Sequence, residues 1–546
     1  MASARRTPPE PPVPDFATRS PGSDVRAHRA VYLAACALAG VLLVLSYPRY
    51  GLDWLVWIAF APFFWAVTGA GWRRGLIGGF IAGVILEACG FSWVLDAMMN
   101  FTGLGLAGGL AMYTPWVLYE TVPWAALGLC LGLQRTGDRP LLAGALVAIP
   151  LWIALEHYYP RVFPWHVGVA LGERISLVQA ADLLGASGLT AVILLVNVVF
   201  TFALFRVQRL ARFPAASAAA AAVILVAANI YGAVRLAEID RTLLAAAEIH
   251  VGMIQPVTRP EERARQPAVV FSRMTQFTQV LQAKEPLDLI LWPEGADTIG
   301  FRLDGRGRVG RPAIAGDIAT FEWLAAPLVA GTWVTIPSSG AVYNSAAYIL
   351  PRTWPPAGFY YKNIRLLFGE YVPFLDNLPA WLRERIGYVG TITAGTESPA
   401  FMLPGSVGDP APRFRILICY EGILADYVRR SAAGADFLVN ITEDIWYGDT
   451  SHIGQHLQVL RIRAIESRIA IARATNIGPS GVIDPAGRMP AATTKFTRTE
   501  RAFSLRPARF ESFYTRAGHY FPLFCLGLGL AGVPWLRFRA TRRPGT

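Results

Sequence analysis

Arg413-Phe-Arg-Ile-Leu-Ile-Cys419-Tyr420-Glu421-Gly422 is a β-rich apolar run that stops on a thiol and enters a glycine turn. A buried strand ending there holds the Cys419 side chain rigidly while leaving its sulfur open to a cleft. The other four cysteines, Cys36, Cys89, Cys130 and Cys525, lie in long apolar segments and read as small packing residues in lipid, so Cys419 is the one cysteine of the water-compatible part. No paired-cysteine spacing suggests a disulfide framework or a zinc site.

Outward from this run the same pattern repeats. Ile249 to Val257, Leu287 to Trp292, Leu328 to Ile336, Val342 to Leu350, Phe437 to Ile441 and Ile469 to Ala474 read as buried or half-buried strands. His452 to Ser467 reads as a helix with Leu457, Leu460, Ala464 and Ile465 on one apolar face, and Val482-Ile-Asp-Pro-Ala-Gly-Arg488 as a strand entering a turn. Strands mixed with helices in one region predict a layered α/β domain.

Two further segments end strands on reactive groups. Leu289-Ile-Leu-Trp-Pro-Glu294 places a carboxylate after an apolar run, and Tyr360-Tyr-Lys362-Asn-Ile-Arg-Leu-Leu-Phe-Gly-Glu370 places a lysine ahead of a second carboxylate. A thiol needs help to react as a thiolate near neutral pH: a carboxylate can take its proton and an ammonium can stabilise the sulfur, then an oxyanion. Glutamate, lysine and cysteine together suffice for acyl transfer through a thioester.

The remaining sequence is membrane-like. The 546 residues are 53% hydrophobic, with a mean hydropathy of +0.38, too apolar for a soluble chain throughout. Seven spans are predicted ahead of the α/β region, at 31–47, 53–70, 76–97, 108–133, 140–156, 180–205 and 214–236, and an eighth over Tyr520 to Leu536. The net charge of +12 arises from arginines where short loops meet these spans, which points to membrane topology and away from nucleic acid. Arg5, Arg6, Arg19, Arg26 and Arg29, then Arg73 and Arg74, Arg135 and Arg139, and Arg206, Arg209 and Arg212 all fall on one side if the count holds. That side is predicted to be cytoplasmic. The expected organisation is a disordered tail over 1–30, a transmembrane region over 31–240, an extracytoplasmic catalytic domain over 241–510, and a final span with a basic tail over 511–546. Gly103-Leu-Gly-Leu-Ala-Gly108 and Gly527-Leu-Gly-Leu-Ala-Gly532 satisfy a nucleotide-binding glycine pattern, but neither lies between a strand and a soluble helix; they read as helix-packing glycines. His452 and His456 have helical spacing without a zinc-protease signature and read as solvated or helix-packing residues.

Trp292-Pro-Glu294, Tyr361-Lys362 with Phe368-Gly-Glu370-Tyr-Val-Pro373, and Cys419-Tyr-Glu421 resemble the Glu-Lys-Cys motifs of the nitrilase superfamily, and more closely those of the bacterial apolipoprotein N-acyltransferases. Asn440-Ile-Thr-Glu-Asp-Ile-Trp446-Tyr-Gly-Asp, Gln455-His456, Arg463-Ala-Ile-Glu466, Arg473-Ala-Thr-Asn476 and Phe163-Pro-Trp165 resemble that family's pattern too. The resemblance implies a membrane α-helical bundle of about eight transmembrane helices plus a nitrilase-like αββα sandwich, in the bacterial cytoplasmic membrane. It implies that Cys419 attacks a phospholipid acyl ester, of phosphatidylethanolamine, and passes the acyl group to the α-amine of a diacylglyceryl-cysteine apolipoprotein. Glu294 is then general base and acid, and Lys362 stabilises the oxyanion. Glu370 and Glu421 position Lys362 or shape the pocket, and Tyr420, Trp446 and Tyr447 line the cleft. No metal or cofactor is required, and a monomer is expected.

The sequence departs from the family in places. No tryptophan follows Gln255-Pro-Val-Thr-Arg-Pro-Glu-Glu, where the family tends to carry a lysine-tryptophan pair; Lys362-Asn-Ile-Arg-Leu-Leu and Thr442-Glu443-Asp444 also differ. These departures bear on acyl-donor preference and the position of a lid. Two other readings stand beside the acyltransferase: a membrane-anchored amidase or hydrolase using the same three residues, and a transporter or scaffold with a degenerate domain.

Overall fold

The computed structural model describes residues 29–103, 105–134, 140–207, 215–310, 321–373, 377, 379–380, 383, 392–404, 411–518 and 520–538. The tail expected over 1–30 therefore falls almost wholly outside the described residues, as do Arg135, Arg139, Arg209 and Arg212 of the charge argument.

Twelve strands form two sheets among the described residues: β1 (Ile249–Gln255), β2 (Leu289–Leu303), β3 (Val309–Gly310), β4 (Leu328–Ile336), β5 (Ala341–Ile349), β6 (Gly358–Tyr361), β7 (Phe401–Met402), β8 (Arg413–Ile418), β9 (Phe437–Thr442), β10 (Ala470–Thr475), β11 (Gly481–Ile483) and β12 (Thr499–Leu505). One sheet has the order β12-β1-β2-β4-β5-β6 with β3 on β2, the other β11-β10-β9-β8-β7. Pairs β1–β2, β2–β4, β8–β9 and β9–β10 are parallel.

Strand periodicity sets the layers. Ile249, Val251 and Met253 of β1 meet Phe414, Ile416 and Ile418 of β8 in a core between the sheets, while Ile254 turns outward to Phe271, Met274 and Leu281 of helix Pro267–Lys284. On the far sheet Leu417 and Leu438 point outward to Tyr427 and Val428 of helix Ala425–Ala432 and to Leu460 and Ala464 of helix Ser451–Ser467. The result is the expected four-layer αββα sandwich.

Helix Ser451–Ser467 is not amphipathic in the expected sense. Leu460 and Ala464 face the sheet, but Val459, Ile462 and Ile465 join the core of the N-terminal bundle, and even Gln455, Arg463 and Glu466 are buried. Trp93 Nε1 donates to Gln455 Oε1 at 2.8 Å, and Gln455 Nε2 donates to the Gly90 carbonyl at 2.8 Å, stitching the helix to the bundle.

The count of eight spans requires correction. Among the described residues three helices are long and apolar enough to cross a membrane, Arg29–Ser46, Ala181–Phe205 and Ala215–Ala245; a fourth results if Trp72–Gly90 and Trp93–Asn100, bent by 58°, form one broken span. Hydropathy registers apolar content but not helix breaks. The segment expected at 53–70 is split into pieces at Asp53–Leu55, Val56–Ala59 and Ala61–Val67. That at 108–133 divides at Thr121 into Gly105–Glu120 and Val122–Gly132, each with a proline. The glycine pattern at 103–108 is likewise corrected: Gly103, with φ +63°, ends one helix, and a Cβ there would touch nothing within 4 Å.

Candidate active site

Strand ends of both sheets meet at one place. Along β2 the pairing with β4 jumps from Trp292↔Ala330 to Asp297↔Thr332, and Glu294 sits in that bulge, which re-aims its side chain out of the sheet. Its Oε1 accepts from Asn344 Nδ2 of β5 at 2.6 Å and from Lys362 Nζ at 3.3 Å, and its Oε2 accepts from the Glu443 backbone N–H at 2.9 Å. Lys362 follows β6 directly, its backbone held by the Asn344 carbonyl and Gly395 N–H at 2.8 Å each. Its ammonium donates to Glu370 Oε1 at 2.7 Å, and Glu370 Oε2 accepts from Leu366 N–H at 2.7 Å. Asn344 Nδ2 also donates to Glu370 at 2.9 Å, so one amide group braces both carboxylates.

Electrostatics follow from this packing. Burial alone would lower the Lys362 pKa, but Glu294 and Glu370 carry it well above its ordinary value, fixing the ammonium. Burial raises the Glu294 carboxyl, with Lys362 opposing and Glu370 reinforcing. Burial, then Glu294, pushes the Cys419 thiol well above its ordinary range, with Lys362 pulling the other way. Burial thus favours the thiol over the thiolate at Cys419, in the cavity that Glu294 and Lys362 also line.

Cys419 begins the turn Cys419–Ile423 at the end of β8 and has φ +50°, a left-handed backbone that costs a residue with a Cβ about 1–2 kcal/mol. Glu421 sustains it. Fully buried, its carboxylate accepts from Ile418 N–H at 2.8 Å, Asn363 N–H at 2.7 Å, Ile364 N–H at 3.0 Å and Tyr360 O–H at 2.6 Å. It thus ties the cysteine turn to the segment following Lys362 without bonding the lysine ammonium, whereas Glu370 does bond it.

Two cavities meet at Cys419. A polar one of about 620 Å³ is lined by Glu294, Lys362, Glu370, Asn344, Arg263 and Trp446, among others. An apolar one of about 740 Å³ is walled by Trp93, Met98, Met112 and Trp116 of the N-terminal bundle and by Tyr420. Cys419, Tyr447, Leu366 and Gly369 belong to both. Tyr420 O–H donates to the Val162 carbonyl at 2.7 Å, and the Trp446 carbonyl accepts from Asn100 Nδ2 at 2.7 Å, so both aromatic residues also fasten the site to the bundle.

His452 and His456 are buried, not solvated, and both bond Asp444 Oδ1, at 3.4 and 3.0 Å. These three groups offer ligand atoms within 4.8 Å of one another. Asp444 is, however, also bonded to the buried guanidinium of Arg473 at 2.8 Å, a cation where a metal would need carboxylate charge. Against the penalty of burial, the histidines and Arg473 hold Asp444 well below the usual carboxylate range. The donor set does not fit a metal ion and reads as a hydrogen-bonded brace.

Sequence reasoning passed over Asn344, Arg263 and the pairing of Arg263 with Glu443. Asn344 had a signal, a polar amide inside the strand run Val342-Tyr-Asn-Ser-Ala-Ala-Tyr-Ile-Leu350; Arg263, in the charged stretch Pro260-Glu-Glu-Arg-Ala-Arg265, had none.

A four-layer sandwich whose strand ends gather glutamate, lysine and cysteine defines a carbon-nitrogen hydrolase domain, and residues 235–502 match the Carbon-nitrogen hydrolase family model. Residues 39–199 match that of the Apolipoprotein N-acyltransferase N-terminal domain. The chain is 29% identical to the Apolipoprotein N-acyltransferase of Geobacter metallireducens, covering 94% of this chain and 96% of that one. It is 28% identical to that of Bradyrhizobium diazoefficiens, covering 88% and 90%. Among solved structures, Saccharomyces cerevisiae Nit3 of the nitrilase superfamily aligns with 50% of this chain and 94% of its own, at 14% identity and a TM-score of 0.35. With both domains in order and relatives matched nearly end to end, the chain belongs to the apolipoprotein N-acyltransferase family.

Proposed function

We propose that this protein transfers an acyl chain from a phospholipid, phosphatidylethanolamine foremost, to the α-amine of a diacylglyceryl-cysteine apolipoprotein. The observation that carries this reading is the position of Cys419 between a polar cavity holding Glu294 and Lys362 and an apolar cavity walled by the bundle. An amidase acting on small amides has no use for the second cavity.

In the first half-reaction Glu294 takes the thiol proton as sulfur bonds to the ester carbonyl. Lys362 faces the oxyanion, and collapse expels the glycerol oxygen, which receives the proton from Glu294. The lysophospholipid leaves a thioester. In the second, the acceptor amine, having lost one proton to water, attacks that thioester. Glu294 accepts the next proton and returns it to sulfur, leaving an amide and a free thiol. The apolar helices of the bundle set in the bacterial cytoplasmic membrane, with the sandwich on its extracytoplasmic face, would present this cleft to lipid.

The test is mass spectrometry on the purified chain and on a diacylglyceryl-cysteine peptide, after incubation with phosphatidylethanolamine. An acyl adduct on Cys419 followed by an amide-linked third chain on the peptide is expected; free fatty acid released without any peptide product would favour the hydrolase.

The pH dependence carries a sign. Because burial raises Glu294 and only its ionised form accepts the thiol proton, single-turnover acylation should rise with pH through a value above the ordinary 4.5. Glu294→Gln should erase that limb along with most of the rate. A wild-type rate flat from about pH 4 to 8 would contradict this role for Glu294.

A further inference from the structure

Two cations line the polar cavity, and they differ in what they have left to give. Lys362 directs its ammonium at Glu370 and Glu294. Arg263, on the short helix Pro260–Arg265, is engaged at one nitrogen: Nη2 bonds Glu443 and lies 3.4 Å from the Thr258 carbonyl. Its Nε is buried without an acceptor, and among the described residues Nη1 donates to none. Nη1 lies beside the backbone next to Glu294, where a Cβ on Gly295 would stand only 3.2 Å away; Gly295, at φ +62°, supplies the clearance. Burial pushes this guanidinium down to about 10, so it remains charged near neutral pH.

We propose that Arg263 binds the phosphodiester of the acyl donor through Nη1 and thereby selects phospholipids over neutral esters. The inference rests on the reading that Cys419 takes its acyl group from a phospholipid. If the scissile carbonyl lies at Cys419, the acyl chain runs into the apolar cavity and the glycerol phosphate must enter the polar one. That cavity also holds Glu294, Glu370 and Glu443, whose charges repel a phosphate unless a dedicated cation faces it. Lys362 is neutralised by two carboxylates. Lys362 keeps one N–H beyond those two bonds, the one that faces the oxyanion, whereas Arg263 keeps Nε and Nη1 free, and a guanidinium presents its N–H groups in a plane suited to phosphate oxygens.

The experiment measures single-turnover acylation of Cys419 in the detergent-solubilised full chain with two donors, phosphatidylethanolamine and p-nitrophenyl palmitate, an ester without phosphate. Arg263→Gln should lower the ratio of phospholipid to nitrophenyl-ester acylation by ~10–100-fold, the range for one charged hydrogen-bonding group. Arg263→Lys should restore part of it. Both rates come from one preparation, so partial misfolding cancels in the ratio. An unchanged ratio, whether the two rates fall together or not at all, would overturn the proposal and leave Arg263 as a prop for Glu443 and Glu294. Absence of acylation of the wild-type chain by either donor would overturn the acyl-enzyme reading itself.

Discussion

Cys419→Ala is expected to leave no acyl adduct on the chain and to reduce transfer to the diacylated peptide by at least ~10⁴-fold, the scale on which removal of a nucleophile acts. The substitution should fold. The side chain is 8% exposed at the junction of two cavities, and the backbone strain at φ +50° is held by Glu421, which the change does not touch. Intact-mass measurement after phospholipid incubation, beside an unfolding curve matching the wild type, would separate lost chemistry from lost structure. An adduct that persists in the variant would place the nucleophile elsewhere.

Lys362→Met is the second large effect, and it should damage both rate and stability. The ammonium lies 2.7 Å from Glu370 and 3.3 Å from Glu294, and all three side chains are nearly enclosed. Without it two carboxylates sharing the Asn344 amide face each other uncompensated, a loss of ~3–5 kcal/mol for a buried ion cluster stripped of its partner. Acylation should fall a further ~10²–10³-fold through loss of the oxyanion-facing charge. The double variant Lys362→Met with Glu370→Gln divides the two effects. It removes one of the opposed charges, so thermal unfolding in detergent should recover toward wild type while acylation stays low. If activity recovered with stability, Lys362 would be a structural counter-ion only.

The sandwich was legible because its strands obey a two-residue period against two different partners, core and helix, as Ile249, Val251 and Met253 against Ile254 illustrate. Seven of its strands stand out as apolar runs, β4 with the observed bounds. β6 and β12 escaped notice because Gly358-Phe-Tyr-Tyr361 is short and Thr499 to Leu505 opens with the consecutive charges Glu500 and Arg501, one on each face, which hide the apolar alternation. Cys419, Glu294 and Lys362 were legible as reactive groups at strand ends, and the family resemblance joined them. The supporting set was only partly visible. Glu421 was expected to position Lys362 or shape the pocket; the manner, bonds to the backbone around Cys419 and after Lys362, was not visible, because sequence spacing does not reveal that a turn at positive φ needs an acceptor. Membrane crossings were overcounted because a hydropathy window registers apolar content and not helix ends, so the run over 108–133 hid the start of a new helix after Thr121, with Pro123 in its first turn.

Helix Ser451–Ser467 gives the molecule a single shared beam. In a free-standing sandwich its outer side would be wet, whereas here Val459, Ile462 and Ile465 are spent on the neighbouring bundle. Cut loose, the sandwich would present a greasy flank with Arg463 and Glu466 stranded in it. The thiol therefore cannot wander relative to the greasy wall that the bundle supplies, and the spacing between the two is set by architecture, not by a tether.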